Sequence, residues 1–216
     1  MNVWAMIPMK PLAQAKTRLS AVLTDAERAE LARAMLRQVL RVVVPQRRLC
    51  GALVVSRDPE VLAVAQAMGA EALHEPPHSD LNAALLMGAA ALRRRGAGLA
   101  LVLPGDLPFI TEWDVTMLLD HAAIAGLVIA PDAERTGTNA LIAPLPLPFQ
   151  PQYGVQSFHR HLQRAHEAGL LTRVVTSDTL ALDVDTPNDL VLYHQRLALG
   201  TATPDLPRFD RLSRHA

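Results

Sequence analysis

The chain of 216 residues carries one cysteine, Cys50, so no internal disulfide can brace it and its fold must rest on a buried core. Aromatic residues are scarce at 4% while apolar residues reach 50%, which gives a small-residue core rich in Ala, Leu and helix formers. Neither sign of charge is in excess. With 21 Lys and Arg against 21 Asp and Glu, no whole-chain field favours nucleic acid or an acidic membrane surface, and any anion must be held locally. No apolar run approaches a membrane span, and the opening "MNVWAMIPMK" lacks the basic segment of a leader, so a cytoplasmic protein is expected. No repeat or low-complexity block stands out. The dinucleotide fingerprint GxGxxG and the phosphate loop GxxxxGK[ST] are both missing, which removes two common ways of holding a nucleotide.

What is present alternates in period. "VWAMIP" (3–8), "GALVVS" (51–56), "LALVLPGD" (99–106), "GLVIAPD" (126–132) and "TRVVTS" (172–177) are short apolar runs bounded by Gly, Pro or Asp, as buried strands are. Helical patterns lie between them. "TDAERAELARAMLRQVLRVV" opens on the capping pair Thr24 and Glu27, and "PEVLAVAQAMG", "DLNAALLMGAAALRRRG" and "TEWDVTMLLDHAAIAG" end on Gly69, Gly96 and Gly126. Parallel strands need crossovers of about a dozen residues, usually helical, so the alternation predicts an α/β domain with a mostly parallel sheet covered on both faces. We place that single domain at 1–199 and a loosely held tail or packing arm at 200–216, where two prolines break any period.

Sheets of this kind bind ligands at the carboxyl ends of their strands, which selects the polar residues that matter. Asp106 follows "LVLPG". Asp183 and Asp185 alternate in "LALDVDTP", which as a strand would point both carboxylates to one face. Three acids on one rim repel unless a cation sits among them, and a few hard oxygen ligands with room for water and phosphate suit Mg2+. The competing reading is that each Asp caps a turn or helix; for Asp106 alone that reading leads, and the D-x-D pair reverses it.

The first loop, "IPMKPLAQAKTRLS", carries Lys10, Lys16 and Arg18 within nine residues. Such a cluster can hold a triphosphate, or it can be the wet face of an amphipathic helix. "ERTGTNALIAP" gathers small hydroxyl and amide groups around Gly137 and reads as a turn with a ligand contact. "YGVQSFHRHL" places Ser157 as the N-cap of a helix whose first turn can accept an anion. His159 and His161 on that helix face different sides, so no zinc site is expected there.

Taken together, "PMKPLAQAKTRL", "LNAAL", "LPGDLP", "GTN", "YGVQSFHRH" and "DVDTPNDL" resemble, in the same order, the CofC/FbiD guanylyltransferases of coenzyme F420 biosynthesis, over roughly residues 3–193. The glycine-free first loop separates this pattern from other nucleotidyltransferases. The resemblance implies a single-domain nucleotidyltransferase fold of GT-A/Rossmann-like type. It also implies transfer of GMP from GTP to a three-carbon phosphorylated acid, with release of pyrophosphate. By matching position it makes Asp106, Asp183 and Asp185 ligands of Mg2+ or Mn2+, and sets Lys10, Lys16 and Arg18 along the phosphates. Thr138, Gly154 and Ser157 match contacts to the acid, which is 2-phospho-L-lactate, phosphoenolpyruvate or 3-phospho-D-glycerate in different members. Tyr153 stands where the family pattern has Phe, and Asn82 and Asn139 fall inside motifs without an assigned role. A homodimer and hand-off of the product to the next F420-pathway transferase are further expectations of the resemblance.

The expected chemistry agrees with the residues. The nucleophile is the substrate's own phosphate oxygen, already ionised near neutral pH, so no Ser, Cys or His needs activation. Other readings stay open: a molybdopterin or sugar-1-phosphate nucleotidyltransferase, or a non-catalytic nucleotide-binding protein on the same fold. "DVDT" also matches the DxDx[TV] of aspartyl-phosphate phosphatases, but that motif belongs after the first strand and this one lies late.

Overall fold

The computed structural model describes residues 1–200 and 205–209. Seven strands form one sheet: β1 (Val3–Pro8), β2 (Gly51–Ser56), β3 (Glu71–His74), β4 (Leu99–Val102), β5 (Leu127–Pro131), β6 (Thr138–Pro144) and β7 (Thr172–Val174), in the order β3-β2-β1-β4-β6-β5-β7. Every pairing is parallel except those of β6, which runs antiparallel to both β4 and β5. The helices are α1 (Asp25–Val43), α2 (Pro59–Ala67), α3 (Leu81–Arg94), α4 (Glu112–Ala122), α5 (Ser157–Glu167) and α6 (Pro187–Ala198). This is the expected α/β architecture, with a mostly parallel sheet between helical layers.

The alternation within β1 shows how the layers arise. Val3, Ala5 and Ile7 face one core with α1, α2 and α4, while Met6 faces a second core with α3 and α5. Helix starts are set by side chains. Thr24 with Glu27, Thr111 with Asp114, and Thr186 with Asp189 each form a capping box, and Asp58 and Asp80 cap α2 and α3.

A third core joins the outer face of α1 to α6 through Leu31, Met35, Tyr193 and Leu190, and it also buries Leu182 and Val184. Here the structure corrects the sequence reading. Residues 181–186 form no strand; they run as irregular chain whose alternation comes from Leu182 and Val184 pointing into this core while Asp183 and Asp185 point away. Two strands are also new. "TGTNALIAP" holds β6 rather than only a turn, and the short edge strand β3 lies in "EALH". Of the tail placed at 200–216, residues 201–204 and 210–216 lie outside the described residues. Within 205–209, Leu206 is buried and the Tyr193 hydroxyl donates to the Pro207 carbonyl at 2.8 Å.

Tyr153 packs against the second core beside an apolar recess lined by Met6, Leu85, Leu141 and Phe149. Its hydroxyl is buried with no hydrogen-bond partner among the described residues, and burial pushes its pKa above the ordinary tyrosine value. Tyr153→Phe removes an unpaired polar group without changing the packing of the ring. It is expected to stabilise the chain by about 1–3 kcal/mol in a denaturant melt; a loss of stability would show that the hydroxyl has a partner in solution.

Candidate active site

The carboxyl ends of β1, β2, β4 and β5 open on a cavity of about 770 Å³, a size that suits a nucleotide-scale ligand. Because β6 runs the other way, its first residues reach the same rim, with Thr138 opposite Pro131 of β5. That single antiparallel strand brings Thr138 and Asn139 to the rim beside Asp106 and the 183–185 segment. Of the nine residues expected in the site, eight line this cavity; Ser157 lies buried behind Thr138 and donates to its hydroxyl at 3.1 Å.

The first loop is not an amphipathic helix. After β1 it makes two short 3-10 turns, Leu12–Gln14 and Thr17–Leu19, with Lys16 in the left-handed region between them at φ 55°. A buried arginine holds it there, for the Arg28 guanidinium donates to the Ala15 carbonyl at 2.9 Å. The Lys16 side chain, 3% exposed, puts its Nζ 2.7 Å from Asp106 Oδ2 and 2.9 Å from Asp185 Oδ1. Burial alone would lower its pKa, but the two carboxylates outweigh it and the ammonium is held charged. Lys10 and Arg18 are exposed, line the cavity and add to the positive field on Asp185.

Asp106, Asp183 and Asp185 each offer an oxygen within 4.8 Å of the others. None caps a helix: the N-cap of α6 is Thr186, boxed with Asp189, so the capping reading fails for the D-x-D pair. Asn139 ties that segment in place, donating to the Leu180 carbonyl at 2.9 Å and reaching Asp183 at 3.4 Å. Asp114, fully buried, fixes the preceding turn by accepting from Thr179 at 2.7 Å and from Ser177. The donor set fits a divalent cation. It is all hard oxygen, and Asp106 Oδ1 is a buried acceptor with no partner among the described residues.

Lys16 makes the two aspartates of the pair unequal. Burial, then the neighbouring Asp106 and Asp185 charges, push the Asp183 carboxyl up to about 6. For Asp185 burial pulls the same way, but Lys16, with Arg18 and Lys10, outweighs it and the carboxyl sits below its ordinary value.

The far wall is built by loops that clamp one another. Asp132 accepts from the backbone N–H groups of Thr136 and Gly137, both at 2.8 Å, and a Cβ at Gly137 would lie 2.6 Å from its carboxylate. Asn82 on α3 latches the 153 loop, accepting from Tyr153 N–H at 2.9 Å and donating to its carbonyl at 3.3 Å. Gly154 follows at φ 121°, a conformation that disfavours any side chain. Ser157 is the first residue of α5 rather than its cap; Gln156, left-handed at φ 58°, holds the cap position without a side-chain bond. His161 is fully buried and bonded to Thr138, so it and His159 make no metal pair. Reading from sequence missed Asp114 and Asp132 and left Asn82, Asn139 and His161 without a role in the site; apart from Asp132, which clamps its own turn, these residues act through partners distant in the chain.

The unequal pair yields a prediction for the metal-free protein at neutral pH. Asp183, raised in the folded chain, costs stability once ionised; Asp185, lowered, contributes stability that is lost as pH falls through its folded value. With a chelator present, Asp183→Asn should melt higher than wild type. Asp185→Asn should melt lower, because buried Lys16 loses a counter-charge. Thermal melts of both variants check this, and the reverse order would refute the asymmetry.

Comparison with known proteins agrees with this architecture. The model of the family "Guanylyl transferase CofC like" matches residues 3–195. The phosphoenolpyruvate guanylyltransferase of Rubrobacter xylanophilus is 44% identical over 196 residues, covering 88% of this chain and 92% of that protein. The 2-phospho-L-lactate guanylyltransferase of Methanothermobacter thermautotrophicus is 40% identical over 190 residues, covering 88% and 83%. In fold, a nucleotidyl transferase structure from Methanothermobacter aligns with a TM-score of 0.66 at 17% identity, over 92% of this chain and 99% of that one. A family match across nearly the whole length, joined to relatives this similar along most of theirs, places the chain among the CofC-like guanylyl transferases.

Proposed function

We propose that the chain transfers GMP from GTP to a three-carbon phosphorylated acid of the kind its relatives are named for, releasing pyrophosphate. The observation that carries this reading is one cavity joining a carboxylate rim to a cationic loop and a hydroxyl-bearing wall. A phosphate that attacks another phosphate needs placement and charge cancellation, not an activated side chain.

Each part has residues for its share. Lys10 and Arg18, exposed on the first loop, would lie along the triphosphate, and Lys16 would serve the phosphates from the buried side. Asp106, Asp183 and Asp185 would hold Mg2+, or Mn2+ in its place; bound there, such an ion offsets the negative charge of GTP and of the departing pyrophosphate. Thr138, with Ser157 behind it and Gly154 beside it, would bind the acid and aim its phosphate oxygen for in-line attack. In this reading GTP and a small acid are the partners, and the diphosphate-linked product passes to the next transferase of coenzyme F420 assembly.

Incubation with GTP, Mg2+ and each of phosphoenolpyruvate, 2-phospho-L-lactate and 3-phospho-D-glycerate in turn should release pyrophosphate with at least one acid, and less when ATP, CTP or UTP replaces GTP. Silence with all three would overturn the proposal. Thr138→Val keeps the shape of the side chain and removes its hydroxyl. It should raise the KM for the acid about 10- to 100-fold, the cost of a lost hydrogen bond to a charged group, and leave the KM for GTP near wild type.

A further inference from the structure

The wall of the cavity contains a hydrogen-bond chain of fixed direction. The Gln152 backbone N–H, which can only donate, points at His161 Nε2 at 3.0 Å. That nitrogen therefore accepts, and the single proton of the neutral ring sits on Nδ1. His161 Nδ1 is 3.0 Å from Thr138 Oγ1, so it donates there. Ser157 Oγ donates to the same oxygen at 3.1 Å. With both acceptor positions of the Thr138 hydroxyl filled, its own hydrogen has nowhere to go but the cavity that Thr138 lines.

We propose that His161 is a positioning residue: with its proton on Nδ1, it commits the Thr138 hydroxyl to donating into the cavity, onto an anionic oxygen of the phosphorylated acid. This rests on the reading above that Thr138 meets the acid. A hydroxyl free to rotate serves donors and acceptors alike, whereas one with its lone pairs occupied accepts nothing. The wall thus selects a carboxylate or phosphate oxygen and rejects a ligand that offers an N–H or O–H at that point.

Three further features maintain the direction. The ring is fully buried, and burial pushes its pKa down to about 4, so it stays neutral near neutral pH. A proton on Nε2 would face the Gln152 N–H, donor against donor. The Gln152 amide cannot turn away, because the next residue, Tyr153, is latched to α3 by both polar atoms of Asn82, and the Tyr153 ring stands edge-on to the imidazole at 4.8 Å.

Two measurements test the proposal. Nitrogen-15 long-range correlation spectra of the wild-type protein should show His161 with Nδ1 protonated and Nε2 bare; the opposite tautomer would overturn it. In kinetics, His161→Phe should raise the KM for the acid by several-fold to about tenfold, as expected for loosening one hydrogen bond, with the KM for GTP unchanged. His161→Asn, whose amide N–H can replace the Nδ1 donor, should recover most of the loss. An unchanged KM for the acid in His161→Phe, where Thr138→Val raises it, would sink the positioning role and leave the acid pocket standing. If Thr138→Val also leaves it unchanged, the acid pocket itself falls, and this proposal with it. Should His161→Phe fail to fold, the tautomer spectrum and His161→Asn still decide.

Discussion

Lys16 is the residue around which the site closes. Its ammonium lies 3% exposed between Asp106, from the loop after β4, and Asp185, from the irregular segment before α6. Two parts of the chain separated by 79 positions are thereby drawn to a lysine from the first loop. A buried ammonium is costly unless its charge is matched, and clustered carboxylates are costly for the same reason, so each half requires the other. The match is incomplete: three acids share one lysine, and Asp183 is left with the raised pKa. The negative charge left over in such a cluster attracts further positive charge.

Holding that arrangement is the task of the residues around it. Leu182 and Val184 anchor the acidic segment by burial in the core between α1 and α6, which forces the intervening carboxylates outward. Asn139 holds the Leu180 carbonyl and Asp114 accepts from the Ser177 and Thr179 hydroxyls of the turn before the segment, while Arg28 fixes the lysine loop from the other side. Rigid placement of charge in advance of the ligand is what an electrostatic mechanism needs, because the reorganisation has been completed during folding.

How much of this could be read from the chain depends on the range of the interaction. The strands β1, β2, β4 and β5 and helices α1 to α4 follow from local period and caps, and the acids of the rim follow from their place after apolar runs. The D-x-D alternation was legible as a pattern but not as a structure: an edge of core packing writes the same period-2 signal as a strand, and only the absence of a ladder partner tells them apart. β6 was hidden because its polar start, Thr138-Asn139 after Gly137, has the composition of a turn. Ser157 has the composition of an N-cap, but its hydroxyl is committed to Thr138, 19 positions away, and Gln156 takes the cap. Lys16 as a buried ion-pair centre, and His161 as more than a core histidine, depend on contacts that no window of sequence contains.

The direction of β6 connects these findings. In an all-parallel sheet only strand ends and the loops after them reach the ligand rim, and a strand start lies at the opposite edge. Reversing one strand places Thr138 and Asn139 at the rim, Thr138 paired with Pro131 of β5 and Asn139 at the irregularity that follows, so a cavity-lining hydroxyl and the support of the acidic segment sit at the start of a strand. The two residues then face different duties: Asn139 turns toward Leu180 and Asp183, and Thr138 toward His161 and Ser157. One reversed dipeptide thus supports the carboxylate rim with one side chain and carries on the other the hydroxyl proposed to meet the acid. The reaction proposed above joins two bound anions and depends on a fixed distance between their sites, and the start of one reversed strand, held to β5 at Thr138, lies under both of the residues concerned.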